Sequence, residues 1–368
     1  MDEQEKKSFE QLHITAAEHP KALAPHVLIL NIIMSVLGAI IGLELIVRTG
    51  VAPNTSIVGA LFAIILSRIP LAFLQKYRSI HSQNMIQTSI SGATFSAANS
   101  LLLPIGIPVI MGREDLMFPM LIGVFIATII DATILYKTFD SEMFPAEGAW
   151  PPGVASAQSI LAVVEKGRKA MLLLVGMLIG FPSMPLAVLV AYTAATGPAF
   201  SDMAYDLKCG YILRGYGKDP ELEKVGRKQQ FISEIVGFIV AFVMVALLAR
   251  TYFSQGLYAP VDATFAATIE AGAGGEVAKW LLIWAVPGAI IQLLGGSRQV
   301  GILFATGLLV GSTINGLTII VALLIRAILV KRNKENEHTL NILGAGALAG
   351  AALYSFFTAT LALGSKKE

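Results

Sequence analysis

Residues 83–99 place amides and hydroxyls inside a run that is otherwise apolar enough to cross a membrane. Hydrocarbon offers no water to such groups, so they must face a cavity, a pore or another helix. Amides both donate and accept hydrogen bonds, which suits peptide bonds or the carboxylates of a chelate. The alternative is hydrogen bonding between helices, which is common for hydroxyls in membrane bundles. We expect these residues to contact a solute: Gln83, Asn84, Gln87, Thr88, Ser91 and Asn99, with Asn315 from a later polar break.

Acidic side chains in or beside apolar runs form a second group. A charge at the bilayer centre costs roughly 2.5–3.5 kcal/mol on insertion scales. The functional interpretation is a carboxylate that carries a proton as access alternates, and the structural one is an interfacial or paired carboxylate. Asp131, 14 residues after Met117 in an apolar run, is expected to be the most buried acid. The candidates for proton coupling or gating are Asp131, Glu147, Asp202, Asp206, Lys208, Tyr211, Glu234, Asp262 and Glu270.

For some of these candidates the neighbouring sequence predicts a particular role. Glu147 and Asp262 each precede a short run of small residues, where they could cap a half-helix or contact a solute. Asp206, Lys208 and Tyr211 could form an ion-paired gate, or a structural salt bridge.

Several kinds of site are excluded or not expected. The five histidines are scattered without metal-ligand spacing, and the single cysteine, Cys209, excludes an internal disulfide. No P-loop, His-Glu-x-x-His or Gly-x-Ser-x-Gly motif occurs, so we expect no enzyme, no cofactor and no bound metal. A net charge of only +2 argues against a nucleic-acid partner.

The composition predicts the elements that must position these residues. Hydrophobic residues make up 55% of the chain, charged residues 14%, and mean hydropathy is +0.69. We therefore predict an all-α polytopic membrane protein with about nine to eleven transmembrane segments. The spans are predicted at 26–48, 55–75, 85–111, 117–137, 171–196, 230–250, 278–294, 300–330 and 340–363. Residues 149–164 and 261–273 suit re-entrant or broken half-helices, and a span at 199–213 is doubtful.

Basic residues predict the orientation of these spans. Lys and Arg are concentrated in loops near residues 76–78, 166–169, 208–228 and 331–334, whereas the opposite loops offer Arg48, Arg113 and Arg250. The basic loops should be cytoplasmic, with the N-terminus on the same side, in a plasma or inner membrane.

Two parts of the chain resemble each other. Gly50 precedes Gln83 by 33 residues, and Gly197 precedes Gln230 by the same distance. Repeats of this kind are common in secondary transporters, although chance similarity between apolar sequences is the alternative. We predict a cytoplasmic segment at 1–25, membrane repeats at 26–169 and 170–330, and a charged loop with a last helix at 331–368.

Several segments, taken in chain order, resemble the oligopeptide transporter family, which includes the yellow-stripe-like metal-chelate carriers. They are an opening hairpin at 41–57, Gln-Asn with Gln-Thr at 83–88, Phe-Pro-Ala-Glu-Gly at 144–148, Asp-Leu-Lys-Cys-Gly-Tyr at 206–211 and Ala-Pro-Val-Asp-Ala-Thr at 259–264. The resemblance implies proton-coupled secondary transport of small peptides, peptide-like solutes or metal chelates. Its partners would be that solute, protons and the lipid bilayer.

Two departures from the family pattern support a different function. Family members are usually far longer, and Gln158 stands where the family pattern leads us to expect an acid. The alternative is therefore a non-transporting membrane scaffold or a subunit of a larger transporter complex. A shortened transporter could also use a neighbouring copy, so a homo-oligomer stays open.

Overall fold

The computed structural model describes residues 14–49, 59–60, 63–64, 77–142, 144–148, 150, 153–154, 156–158, 160–161, 199–259, 262–263, 266, 276–295, 313–333, 336 and 340. The chain divides into two compact units, one of Met1–Pro260 with Asn341–Glu368 and one of Val261–Leu340. The named elements of the described residues are all helical. This confirms the all-α class.

The described part of the first unit contains six α-helices and a π-helix. They are α1 (Pro25–Thr49), α2 (Ile80–Phe95), the π-helix (Ser96–Leu102), α3 (Leu103–Ile110), α4 (Met117–Thr138), α5 (Ala199–Leu213) and α6 (Pro220–Ser254). Short 3-10 turns occupy Ala16–Glu18 and Glu114–Leu116. In the second unit, the described helices are α7 (Glu276–Gly295), which contains Pro287, and α8 (Thr313–Arg332).

Helix starts follow local capping chemistry. Ser79 caps α2 by accepting a hydrogen bond from the Ser82 amide at 3.1 Å. Asp219 caps α6 in the same way through the Leu222 amide at 3.0 Å, and Pro220 takes the first helical position. Hence α6 begins ten residues before the apolar run predicted at 230–250, and its first turns carry polar side chains.

The central helix of the first unit is α2, the most polar of the long runs. All of its side chains are buried, and α1, α5 and α6 pack around it. Its polar groups therefore face protein on every side, as the absence of water in hydrocarbon requires.

The chain changes helical register directly after α2. The Leu103 amide bonds to the Ala98 carbonyl five residues back, which closes the last turn of the π-helix. Pro104 follows, and it has no amide hydrogen to continue an α-helical ladder. Ala97, Ala98, Leu101 and Leu102 pack into the apolar core with residues of α1 and α6.

Four helical stretches are long and apolar enough to span a membrane: Pro25–Val47, Ile80–Ile110, Glu114–Thr138 and Pro220–Ser254. They correspond to the predictions at 26–48, 85–111, 117–137 and 230–250. The outer face of α4 shows Ile122, Ile126, Ile130 and Ile134, spaced four residues apart and exposed. Such a stripe suits contact with acyl chains. The structure is thus that of a multi-pass membrane protein.

Other predicted segments are described only in part. The runs at 55–75, 171–196 and 340–363 lie largely or wholly outside the described residues, as do most residues of 149–164 and 261–273. The doubtful segment at 199–213 is α5, a helix of 15 residues. The long run at 300–330 is described from Thr313, where α8 begins inside the predicted polar break.

Candidate functional site

Three buried carboxyl groups meet where α2, α5 and α6 pack together. Asp202 and Asp206 stand one turn apart on α5, and Glu234 comes from α6. Their exposed fractions are 2%, 0% and 0%, and one oxygen from each lies within 4.8 Å of the others. We call these three residues the acid cluster.

A glycine on α2 makes room for the acid cluster. A Cβ atom on Gly92 would lie 3.0 Å from Cδ of Glu234, so a larger side chain would press on this carboxyl group. Gly92 therefore lets α6 bring its acid against the polar face of α2.

Neutral donors of α2 hold the two acids of α5. The Gln87 amide donates to Oδ1 of Asp206, and the Ser91 hydroxyl donates to Oδ1 of Asp202 at 2.9 Å. An oxygen of Asp206 also lies within 4.8 Å of an oxygen of Glu234. Carboxylates this close repel one another when all of them are ionised, which favours a proton on one of them. The geometry can therefore hold a transferable proton away from bulk water.

Gln230 links the acid cluster to a buried basic group. Its amide donates to the Asp206 carbonyl at 2.7 Å and to Oγ1 of Thr88 at 3.2 Å. In return, its carbonyl oxygen accepts a 2.7 Å hydrogen bond from Arg214.

The charge of Arg214 is neutralised by the carboxylate of Glu223. Its Nε lies 2.7 Å from Glu223, with the two side chains 0% and 8% exposed. It also donates to Oδ1 of Asn84 at 3.5 Å, and Asn84 in turn donates to Gln87 at 3.1 Å. A continuous hydrogen-bond network thus runs from Glu223 to the acid cluster. We call Glu223, Arg214, Gln230 and Asn84 the arginine network.

His19, which precedes α1, is buried near the arginine network. Burial lowers its pKa to about 4, and the positive charge of Arg214 acts in the same direction. Its Nδ1 donates to the Pro20 carbonyl at 2.9 Å, and its ring stands edge-on to that of His81 at 5.3 Å. At neutral pH the ring is therefore uncharged.

The structure brings most of the predicted solute-contacting residues of α2 into this region. Asn84, Gln87, Thr88 and Ser91 all bond to the acid cluster, to the arginine network or to both. Gln83 instead donates to the Arg78 carbonyl at 2.9 Å. Asn99 lies in the π-helix, and Asn315 lies on the backbone of α8 in the second unit, with its side chain outside the described residues.

The predicted acids fall into different environments. Asp202, Asp206 and Glu234 are brought together, whereas Asp131 is only partly buried on α4. The expectation that Asp131 is the most buried acid was therefore wrong, because depth along a helix does not say which face a residue occupies. Glu147 is exposed, Asp262 is buried, and Glu270 lies outside the described residues.

Members of the predicted gate point in different directions. Lys208 donates to the Ala146 carbonyl at 2.7 Å and lies over the Tyr211 ring, 5.5 Å from its centre. Asp206 is directed toward Gln87 and Glu234. Lys208 and Tyr211 therefore contact each other, while Asp206 belongs to the acid cluster.

Sequence reasoning missed the roles of three residues. Arg214 was counted only as an orientation signal, Gln230 only as a repeat marker, and Glu223 was not considered. A signal was present, since Gln230 and Glu234 are four residues apart, as are Asp202 and Asp206. Such spacing places the two members of each pair on one face of their helix.

The acid cluster could also hold a metal ion. Among the described residues, these three side chains form the group of possible metal ligands whose oxygens all lie within 4.8 Å of one another. Oxygen ligands of this kind suit hard cations.

Comparison with known proteins agrees with the resemblance noted in the sequence. A family model described as OPT oligopeptide transporter protein matches residues 22–170 and 153–362. No curated protein and no solved structure matches the chain. The matched family is one of membrane transporters rather than enzymes. With a helical bundle that buries a polar core, the chain belongs to the oligopeptide transporter family.

Proposed function

We propose that this protein is a proton-coupled secondary transporter of small peptides or peptide-like solutes, metal chelates among them. The observation that carries the proposal is the close approach of three buried carboxyl groups, those of Asp202, Asp206 and Glu234, whose oxygens lie within 4.8 Å of one another. A proton shared by buried acids is the element that a proton-driven carrier needs, since its release changes the charge of the site.

The surrounding contacts suit a site that changes protonation. The donors to Asp202 and Asp206 from α2 are neutral, so they hold the carboxyl groups in place without fixing their charge. The same α2 side chains belong to the polar stripe expected to contact solute. Movement of α2 against α5 would therefore change both solute contacts and proton affinity. We place the protein in a plasma or inner membrane with its N-terminus in the cytoplasm, following the basic loops.

The test is uptake of a labelled tripeptide into proteoliposomes with and without an inward proton gradient. The wild-type protein should accumulate peptide above equilibrium only with the gradient. Glu234→Gln should lose this accumulation but still exchange labelled for unlabelled peptide, because Gln is nearly isosteric with a protonated Glu. Glu142→Gln, at an exposed position beyond α4, is the matched control and should behave as wild type.

Two other outcomes would change the assignment. Accumulation driven by a sodium gradient alone would make a metal cation the coupling ion, which the spacing of the three carboxyl groups also allows. If the folded wild-type protein moves no peptide or chelate under any gradient, the scaffold or subunit alternative replaces transport.

A further inference from the structure

The π-helix contains buried polar side chains that no group among the described residues satisfies. Oγ of Ser96, Oγ of Ser100 and Nδ2 of Asn99 are buried and have no hydrogen-bond partner. Ser96 is 0% exposed and Ser100 is 7% exposed. Burying a donor without a partner costs about 1–3 kcal/mol, and native proteins leave few such groups.

The unsatisfied groups share one side of the π-helix. Ala97, Ala98, Leu101 and Leu102 belong to the apolar core and occupy the opposite side. The wider turn of a π-helix brings Ser96 and Ser100 above one another, with Asn99 beside them. We call Ser96, Asn99 and Ser100 the donor face. Single π-helical turns are frequent at functional sites, where they redirect side chains.

The chemistry of these groups selects an acceptor. An Asn amide nitrogen can only donate, and two hydroxyls can donate alongside it. Ser96 follows Ser91 by five residues, so the donor face lies about 7 Å along the helix axis from the Ser91 contact with the acid cluster. A negatively charged carboxylate would be repelled at that distance by any ionised member of the cluster. A neutral carbonyl oxygen would not.

We propose that the donor face binds a peptide-bond carbonyl oxygen of the transported solute. The inference rests on the proposed function and adds the part of the peptide that is recognised. The bound carbonyl would satisfy donors that have no partner in the described part of the chain. The solute would then lie one to two helical turns from the acid cluster, on the same continuous stretch of helix.

The test compares tri-alanine with thioamide analogues, in which sulfur replaces one or the other peptide oxygen. Sulfur accepts hydrogen bonds more weakly than oxygen. The analogue whose sulfur replaces the oxygen bound by the donor face should therefore have a KM for uptake by the wild-type protein about fivefold to tenfold higher than that of tri-alanine. Ser96→Ala/Ser100→Ala should raise the KM for tri-alanine by a similar factor and lose most of the discrimination between oxygen and sulfur. Such non-additivity is the signature of a direct contact.

A stability measurement separates this role from a structural one. Without peptide, the double variant should melt at the wild-type temperature or slightly above, because the removed hydroxyls have no partner to lose. The control is Thr133→Val on α4, whose hydroxyl donates to the Ile129 carbonyl of its own helix at 2.7 Å. It should leave both KM and discrimination unchanged.

Three results would overturn the inference. Full oxygen–sulfur discrimination in the double variant would show that these hydroxyls do not touch the carbonyl. A lower melting temperature with unchanged KM would assign the hydroxyls to packing. Absence of any peptide uptake by the wild-type protein would overturn this inference, and absence of chelate uptake as well would overturn the proposed function with it, whereas the first two results leave that function standing.

Discussion

At the scale of single residues, Arg214 is a buried charge that depends on its hydrogen-bond partners. Its guanidinium is fully buried, and it bonds Glu223, Gln230 and Asn84 at once. A buried ion pair adds little to the free energy of unfolding when the protein is compared with a variant in which both partners are apolar. Removing one partner is costly, because it leaves a charge in a medium that cannot solvate it.

Arg214→Met should therefore destabilise the protein by about 3–5 kcal/mol, because Glu223 would keep its charge without its main partner. The double variant Arg214→Met/Glu223→Leu should recover part of this loss. Unfolding in mixed detergent micelles, followed by tryptophan fluorescence or circular dichroism, measures both variants.

The control for Arg214 is an exposed ion pair in the loop before α4. Arg113 lies 2.9 Å from Asp115, with both side chains more than half exposed. Arg113→Gln should leave the unfolding transition unchanged, because surface pairs contribute little. Equal effects of the two arginine substitutions would contradict a buried network around Arg214.

His19 predicts a dependence of stability on pH. Its pKa is lowered to about 4 in the folded protein, against 6.5 for an ordinary histidine, chiefly by burial. The folded protein holds the ring in its neutral form. The contribution of His19 to the free energy of unfolding is therefore complete above pH 6.5 and is lost as the pH falls toward 4. Between pH 7 and pH 5 the loss should be about 2 kcal/mol.

His19→Gln should remove that part of the pH dependence, because glutamine does not titrate. Thermal melts of wild type and variant at pH 7, 6 and 5 measure the difference. His26, an exposed residue in the first turn of α1, supplies the control as His26→Gln. A parallel decline of wild type and His19→Gln with falling pH would refute the role of His19.

At the scale of helices, the site depends on close packing of α6 against α2. A Cβ atom on Gly237 would lie 2.5 Å from the Ser89 carbonyl oxygen, so the two backbones nearly touch there. Gly237 lies one turn beyond Glu234 on α6. The same approach therefore sets the position of the acid cluster.

Gly237→Ala should push α6 away from α2 and cost about 1–3 kcal/mol, as overpacking commonly does. It should also reduce proton-driven peptide accumulation, since Glu234 would move with the helix. Gly123→Ala on α4 is the matched control, because a Cβ atom there meets nothing within 4 Å. Detergent melts and uptake assays report both effects, and indistinguishable behaviour of the two variants would refute the close approach.

The positions of the four described spans were largely predictable from the sequence, because an apolar run of span length has few alternatives in a membrane. The start of α6 was not predicted, because Asp219 and Pro220 form a capping signal outside the apolar run. The π-helix was not predicted either. Pro104 marks its end, but a proline alone does not say how the preceding turns adjust.

At the scale of the whole molecule, the convergence of Asp202, Asp206 and Glu234 is a long-range contact between α5 and α6. One sequence predicts which residues share a helix face, but it does not predict which faces meet. Asp131 shows the same limit. Its depth in the run suggested burial, while the isoleucine stripe at 122, 126, 130 and 134 indicated that part of α4 faces lipid.

The central claim is that the acid cluster couples proton movement to peptide movement. The most direct measurement is proton flux driven by peptide alone, with a pH-sensitive dye inside proteoliposomes and no initial pH gradient. An inward tripeptide gradient should acidify the lumen with wild-type protein and not with Glu234→Gln, while Glu142→Gln should match wild type. Equal acidification with wild type and Glu234→Gln, or peptide entry without acidification, would contradict the account.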